Sequence, residues 1–330
     1  MRESVSLYMN KSFCRLISSV VLFMLVLLPS SVFAEISLQD ANFYYNRGFA
    51  YDSKGEYDLA INDYNKTIEL DPTFKEAYSN RGLAYYSIGE YDLAINDYNK
   101  VVQFNPQYTE VYNNLGNAYY GKGKYDEAIT NYSKAIELDP QLAKAYSNRG
   151  LSYYSKGEYD VAIKDYSKAI ELNSQYANAY YSRGLSYYSK GEYDLAINDY
   201  NKAIEFNPQL TAIYYNRGVA YYGKGQYEVA IMDLNKAIEL NPQNADGYVT
   251  RGNAYRLKGE YNLAIVDYNK AIELNPQNEY VYYGKGNALS QLGKNKEAIE
   301  CFYQFLQYAV PGDQWIEKGK QRIRDLGGII

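Results

Sequence analysis

The sequence predicts an all-α fold built as an array of two-helix repeats. Two stretches of apolar residues at helical spacing recur along the chain, and an Asn-Pro or Asp-Pro pair follows the second stretch in six of the repeats. A fixed period of 34 residues indicates one elongated solenoid, rather than the two globular domains that a length of 330 residues would suggest. The period is read most easily from a recurring glycine: Gly48, Gly82, Gly116, Gly150, Gly184, Gly218, Gly252 and Gly286.

Eight tandem repeats occupy most of the chain. We number each repeat from 1 to 34, so that the recurring glycine is position 8. Apolar or aromatic residues at positions 4 and 11 predict a first helix, and those at positions 20, 21, 24, 27 and 28 predict a second helix. Within a predicted repeat domain of 35–312, the repeats are 41–74, 75–108, 109–142, 143–176, 177–210, 211–244, 245–278 and 279–312.

Each helix carries its own boundary residues. The glycine at position 15, from Gly55 to Gly293, is suited to end the first helix as a C-terminal cap. Aspartate at position 18 in the first five repeats, as in Asp160, is suited to cap or favour the start of the second helix. The glycine at position 8 costs about 1 kcal/mol inside a helix, and we expect a close approach to the alanine at position 20 to compensate.

Arginine at position 7 and aspartate at position 23 change together. Where the third repeat has Leu115 it also has Asn131, and where the eighth has Lys285 it has Cys301. We interpret the pair as a structural salt bridge, either within a hairpin or across to a neighbouring repeat; the alternative is an arginine ladder that binds an anionic ligand. The pairs are Arg47 with Asp63, Arg81 with Asp97, Arg149 with Asp165, Arg183 with Asp199, Arg217 with Asp233, and Arg251 with Asp267.

The complete pattern resembles the tetratricopeptide repeat: a large aromatic at position 4, Gly at 8, Tyr at 11, Ala at 20, an aromatic at 24, Ala at 27 and Pro at 32. The eighth repeat departs from it at Leu289, Phe302, Phe305 and Val310. The resemblance implies a right-handed superhelical α-solenoid whose first helices line a concave groove. It also implies binding of partners rather than catalysis.

Tyrosine is unusually abundant, with 43 copies. We expect those at positions 4, 11, 17 and 24 to pack in the interior, and those at positions 5 and 12 to line the groove together with asparagine at position 9. Tyrosine and asparagine there suit an extended peptide; alternatively, tyrosine at position 12 belongs to the ordinary repeat. The predicted groove residues are Tyr45, Tyr86, Asn117, Tyr120, Tyr154, Tyr181, Tyr188, Tyr215, Tyr222, Asn253, Tyr283 and Asn287.

Composition argues against several classes of function. Histidine is absent, which removes the commonest general base and metal ligand, so we predict no enzyme activity, no metal and no cofactor. Acidic and basic residues alternate at a net charge of -5, so nucleic acid is not an expected partner. Position 5 has no lysine and position 6 no arginine, so the charged residues by which some tetratricopeptide proteins bind acidic C-termini are missing there.

The two ends of the chain differ from the repeats. Residues 1–34 read as a signal peptide cleaved after Ala34, or else as an uncleaved anchor through 13–34, which predicts export to the periplasm or the exterior. Residues 313–330 form a predicted capping helix and tail, with a helix from Asp313 to Leu326; Trp315 packs there or docks a partner. The uncapped N-terminal edge of the first repeat is a candidate site for self-association.

These features predict an exported, non-catalytic scaffold. We expect it to bind protein or peptide segments in the tyrosine-rich groove and to organise an envelope or secretion complex. The alternative is a carbohydrate-handling or exopolysaccharide-export protein, because aromatic rings also stack on sugars.

Overall fold

The computed structural model describes residues 30–330, with side chains from residue 40 onwards, and in this range the chain is helical without any strand. The helices are α1 (Ser30–Asp52), α2 (Tyr57–Leu70), α3 (Lys75–Ser87), α4 (Tyr91–Phe104), α5 (Thr109–Gly121), α6 (Tyr125–Leu138), α7 (Ala143–Ser155), α8 (Tyr159–Leu172), α9 (Ala177–Ser189), α10 (Tyr193–Phe206), α11 (Thr211–Gly223), α12 (Tyr227–Leu240), α13 (Ala245–Leu257), α14 (Tyr261–Leu274), α15 (Glu279–Gln291), α16 (Asn295–Tyr308) and α17 (Ile316–Asp325).

The helices belong to two compact units. The first unit comprises the described residues up to Asn148, and the second is Arg149–Ile330. In the first unit α1 and α2, α3 and α4, and α5 and α6 form hairpins; in the second the hairpins are α9 and α10, α11 and α12, α13 and α14, and α15 and α16. Each unit is therefore a series of tandem hairpins, and the predicted all-α solenoid class is confirmed.

The turns within the hairpins depend on glycine. All eight position-15 glycines have positive φ, between 72° and 84°, which a residue with a Cβ rarely adopts. The aspartates at position 18 do not cap the second helices, contrary to expectation. Asp58 and Asp160 lie in the first turn, and the N-cap residues before them, Glu56 and Glu158, make no side-chain cap hydrogen bond. The aspartates can still favour the helix start through the helix dipole.

The interior of each hairpin is formed around position 24. Tyrosine at this position is fully buried in six repeats, whereas the tyrosines at positions 4, 11 and 17 are only half-buried. Of the four positions expected in the interior, only position 24 is fully buried. A Cβ added at Gly184 would lie 2.7 Å from Cε1 of Tyr200 and 3.3 Å from the carbonyl oxygen of Ala196. The recurring glycine thus makes room chiefly for the position-24 ring, not for the small side chain at position 20.

The predicted arginine–aspartate salt bridge is confirmed in all six repeats. Nε and Nη2 of Arg183 donate to the two carboxylate oxygens of Asp199 at 2.7 and 2.8 Å, and the other five pairs have the same bidentate geometry. Nη1 of Arg183 also donates to Ser167 of the preceding repeat, at 2.9 Å. These guanidinium groups therefore join helices and repeats. Their charge is offset by the protein's own carboxylates, which favours the structural salt bridge over a ligand-binding ladder.

A second set of ion pairs joins adjacent hairpins. Nζ of Lys190, at position 14, lies 2.8 Å from Asp160, at position 18 of the preceding repeat, and Lys258 lies 3.2 Å from Glu228 in the same way. These pairs were not predicted from the sequence. The repeats contain only a partial hint of them: position 14 is Leu292 where the preceding repeat has no acid at position 18, but it is also Ile88 where the preceding repeat has Asp58.

The C-terminal segment packs on the last hairpin. Helix α17 begins at Ile316, later than the predicted start at Asp313, with Trp315 at its N-cap. Ile323 is fully buried in a cluster with Leu289 and Phe302 of the eighth repeat. The Trp315 ring lies 5.4 Å from the ring of Tyr283 in an edge arrangement, measured between centroids. The aromatic side chain therefore packs against the repeat on which the segment ends.

The predictions for the N-terminus stay predictions. Most of the proposed signal peptide, residues 1–29, lies outside the described residues, and the predicted cleavage point after Ala34 falls within α1. Among the helices described, none has the length and apolar character needed to cross a membrane. In the first helix of the first repeat, Phe43 and Phe49 are 59% and 54% exposed, and self-association through this edge stays a prediction.

Candidate functional site

The twelve predicted groove residues all lie on first helices, and all are half-buried. Positions 2, 5, 9 and 12 share one side of these helices because residues three and four apart are neighbours on a helix. We call this side the first-helix face, within each unit separately. Its side chains contact the hairpin interior to different degrees, and this determines what each can offer a ligand.

The tyrosines at position 12 pack against the tyrosines at position 17 of their own hairpins. The ring centroids are 5.4 to 5.7 Å apart, in tilted arrangements. Because the contact recurs in every repeat that has both residues, it is part of the hairpin. The rings are half-buried, so part of each ring is still exposed to solvent. The pairs are Tyr86 with Tyr91, Tyr120 with Tyr125, Tyr154 with Tyr159, Tyr188 with Tyr193, and Tyr222 with Tyr227.

The tyrosines at position 5 are held by the next repeat. Nδ2 of Asn80 donates to the Tyr45 hydroxyl at 3.0 Å, and Nδ2 of Asn216 donates to Tyr181 at 2.8 Å. Burial raises the pKa of Tyr181, so its phenol is neutral at physiological pH. A neutral hydroxyl that accepts one hydrogen bond still has its own proton to donate. Tyr45 and Tyr181 are therefore fixed in orientation, and each hydroxyl can still donate its own proton.

The asparagines at position 9 are partly engaged inside the protein. Oδ1 of Asn117 accepts a hydrogen bond from the Tyr132 hydroxyl, and Oδ1 of Asn253 accepts one from Tyr268, both at 2.8 Å. Nδ2 of Asn287 donates to its own helix, at the carbonyl oxygen of Tyr283, at 2.9 Å. The expected double hydrogen bond from each asparagine to a peptide therefore competes with internal partners.

A recess of about 630 Å³ opens on the second unit. The predicted residues Asn253, Tyr283 and Asn287 line it. Further lining comes from residues outside the predicted groove set: Arg256, Leu257, Tyr261, Tyr280, Gly284, Gln291, Trp315 and Arg322. We call it the C-terminal recess. Smaller recesses of about 410 and 400 Å³ lie on the first unit, and Tyr45 lines one of them.

Arg256 is the unusual residue of the C-terminal recess. It occupies position 12, where five other repeats have tyrosine, and this break in the pattern was the signal that could have found it. Its Nε is buried and has no hydrogen-bond partner. The guanidinium lies close enough to Tyr268 to oppose the effect of burial, which raises the pKa of that phenol to about 12.

Tandem hairpins with aromatic and amide side chains along their first helices define a helical-repeat scaffold. Matches to the family profiles for the TPR repeat and the tetratricopeptide repeat extend over most of the chain, and the chain belongs to the tetratricopeptide repeat family. TPR repeat matches cover 50–89, 82–123, 116–157, 150–191, 184–225 and 252–293, and tetratricopeptide repeat matches cover 211–244, 234–266 and 280–309.

Solved structures with the same fold include YrrB, described as a TPR protein with an unusual peptide-binding site. It is 25% identical over 58% of this chain and 97% of its own, with a TM-score of 0.51. A chain from the Cut9–Hcn1 hetero-tetramer of the APC/C is 22% identical over 81% of this chain, with a TM-score of 0.58. The present chain spans only 52% of the length of that protein. The C-terminal part of a TPR repeat-containing protein from Cytophaga hutchinsonii is 22% identical, covering 73% of this chain and 98% of its own, with a TM-score of 0.59.

No curated protein sequence matches the chain. The family and its structural relatives support the function of a protein–protein interaction scaffold, and members of the family are in general non-catalytic. Within the part of the chain that the structure describes, no group of acidic or cysteine side chains is arranged to hold a metal ion.

Proposed function

We propose that this scaffold binds extended peptide segments of partner proteins on the first-helix face of its second unit, with the C-terminal recess as the centre of the site. The observation that carries the proposal is the composition of that recess. Aromatic rings give it apolar walls, while Asn253, Asn287 and Gln291 place amide groups among them. Amides and hydroxyls beside aromatic surface suit a peptide, which has polar backbone groups and side chains of both kinds.

The walls of the recess are held in place before any ligand arrives. The Tyr280 hydroxyl donates to Asp313 at 2.8 Å, and the Tyr283 ring contacts Trp315, Phe302 and Phe305. Side chains that are fixed in this way lose little conformational entropy on binding. The peptide-binding site attributed to YrrB, a relative at 25% identity, supports the same class of ligand.

A carbohydrate ligand fits this recess less well. Sugars would stack on the open face of an aromatic ring, and the Trp315 indole is the broadest ring in the lining. Nζ of Lys318 lies 3.9 Å from the centroid of that ring, so one face of the indole is already occupied by a cation. The edge contact with the Tyr283 ring restricts the indole further.

The proposal includes export of the scaffold and a role in an envelope or secretion complex. It is supported by residues 1–34, in which a basic start, an apolar run and small residues before position 35 form a signal-peptide pattern. Mass spectrometry of the mature protein tests this directly. A chain that begins at Glu35 is the expected result, and an intact chain retained in the cytoplasm would contradict export.

Peptide binding is tested by screening the purified repeats against a random peptide library and, in parallel, a glycan array. We expect peptides to be retained, and Asn287→Ala to weaken their binding about three- to tenfold, the effect of one hydrogen bond. Asn198→Ala is the matched control, because Asn198 is exposed on a second helix of the same unit. Retention of glycans without peptides, or equal binding by both variants, would contradict the proposal.

A further inference from the structure

We infer that the C-terminal recess selects peptides that carry a carboxylate, and that Arg256 and Arg322 are the residues that bind it. The inference rests on the proposed function and adds the chemical class of the ligand. The two arginines lie at position 12 and on the C-terminal helix. They are distinct from positions 5 and 6, where this chain has none of the charged residues by which some tetratricopeptide proteins bind acidic C-termini.

The repeats show what an arginine of this chain needs. Each of the six position-7 arginines has an aspartate that accepts two hydrogen bonds from its guanidinium. Arg256 has no such carboxylate among the described residues: its guanidinium interacts with the neutral Tyr268 hydroxyl, and its Nε is buried without an acceptor. A charged group that has only a neutral partner and one unsatisfied N–H is poorly compensated, and a planar carboxylate is the acceptor that satisfies a guanidinium best.

The rest of the lining is arranged for an anion. No aspartate or glutamate lines the recess, whereas Arg322 of α17 brings a second guanidinium to it. Arg322 is exposed and has no ion-pair partner in the described part of the chain. Asp313, the acid that contacts the lining from the preceding loop, already accepts hydrogen bonds from the Tyr280 hydroxyl and the Trp315 backbone N–H. The recess is thus locally positive in a chain whose net charge is -5.

The ligand carboxylate can belong to an aspartate or glutamate side chain, or to the C-terminus of a peptide. Both sources present the same two oxygens to the arginines. The aromatic walls from Tyr261, Tyr283 and Trp315 would then contact apolar side chains next to the carboxylate. A peptide with acidic and apolar residues in alternation satisfies both parts of the lining.

Three synthetic octapeptides separate these sources. The first alternates leucine and glutamate and has an amidated C-terminus; the second alternates leucine and glutamine and has a free terminal carboxylate; the third alternates leucine and glutamine and is amidated. Anisotropy of labelled peptides measures total binding. Trp315 is the single tryptophan of the chain and lines the recess, so its fluorescence reports occupancy of this site during titration with unlabelled peptides.

We expect the first or second peptide to bind at least tenfold more tightly than the third and to change the Trp315 emission, with an affinity that falls as salt is added. Arg256→Tyr, which installs the residue of five other repeats, and Arg322→Gln should each weaken that peptide about ten- to a hundredfold. Arg324→Gln, on the same helix but outside the lining, is the matched control and should have no effect. Circular dichroism verifies that each variant is folded.

The outcomes for the two proposals are distinct. Binding of library peptides without any preference for a carboxylate, or binding that leaves Trp315 emission unchanged, overturns the inference and leaves peptide binding intact. Equal affinity of the Arg256→Tyr and Arg324→Gln variants for the acidic peptides also overturns it. Failure of every octapeptide and of the whole library to bind overturns the proposed function and the inference with it.

Discussion

Two arginines of helix α13 have opposite environments. Nε and Nη2 of Arg251 donate to Asp267 at 2.8 and 2.6 Å, between the helices of one hairpin. Arg256, a little further along the same helix, lines the C-terminal recess, and its buried Nε has no acceptor. The arginine in the hairpin interior is thus paired with a carboxylate, whereas the arginine on the first-helix face has a buried N–H without an acceptor. The contrast supports the proposal that the repeat interior maintains the scaffold and that departures from the repeat, such as Arg256, serve ligand binding.

The interior salt bridges should have the largest effect on stability. Arg183→Leu leaves Asp199 buried without its partner, so we expect a loss of about 3 to 5 kcal/mol in the free energy of unfolding. The double variant with Asp199→Asn reproduces the third repeat, which has Leu115 and Asn131, and should recover most of the loss. Urea unfolding measures both, and amide exchange in α9 and α10 localises the change. A double variant as unstable as the single one would argue against a charge-pair explanation.

The hydroxyl at position 24 connects the interior to the first-helix face, and its effect should be intermediate. Tyr268→Phe removes the donor to Asn253, so we expect a loss of about 1 kcal/mol. Tyr200 is equally buried, but its hydroxyl has no partner, because the position-9 residue there is Leu185. Tyr200→Phe should therefore be neutral or slightly stabilising. Thermal unfolding of the two variants decides the matter, and equal losses would show that the asparagine contact contributes nothing.

The ion pairs between hairpins should have the smallest effect. The hydrogen bond from Lys190 lowers the pKa of Asp160, so the folded state stabilises the carboxylate. That contribution is present above the ordinary aspartate pKa and is lost as the pH falls through the lowered value. Both groups are exposed to solvent, and Lys190 keeps Glu192 as a second partner.

We accordingly expect Asp160→Asn to lower the thermal midpoint slightly at neutral pH and low salt. The difference between the variant and the parent should vanish at about pH 2 or in about 1 M salt, where the pair is protonated or screened. Thermal melts followed by circular dichroism under these three conditions provide the test. A difference that persists in acid would point to packing around Asp160 instead of its charge.

Sequence-based predictions were most accurate where the eight repeats could be compared with one another, position by position. Arginine at position 7 and aspartate at position 23 vary together, and both lie within one hairpin, so their contact recurs with the same geometry in each copy. The positive-φ glycines at position 15 followed in the same way from an unvarying residue and a local backbone requirement.

Weaker predictions concerned side chains whose environment depends on neighbouring helices. Helical spacing predicted the same interior location for the tyrosines at positions 4, 11, 17 and 24. Only the position-24 side chain lies between the two helices, against the recurring glycine. The position-12 tyrosines, expected in the groove, also contact position 17 across the turn, which spacing along one helix cannot reveal. Their role in binding stays a prediction.

The sequence by itself determined the period, the helix pairs, the turns and the salt bridges within hairpins, because these depend on residues of a single repeat. Only the tertiary structure decided which side chains meet at the C-terminal recess. Arg256, Tyr283 and Arg322 come from α13, α15 and α17, and no repeat pattern includes α17. Their proximity results from the packing of α17 on the last repeat. The sequence of α17 occurs once in the chain, so no comparison between repeats could reveal where it packs.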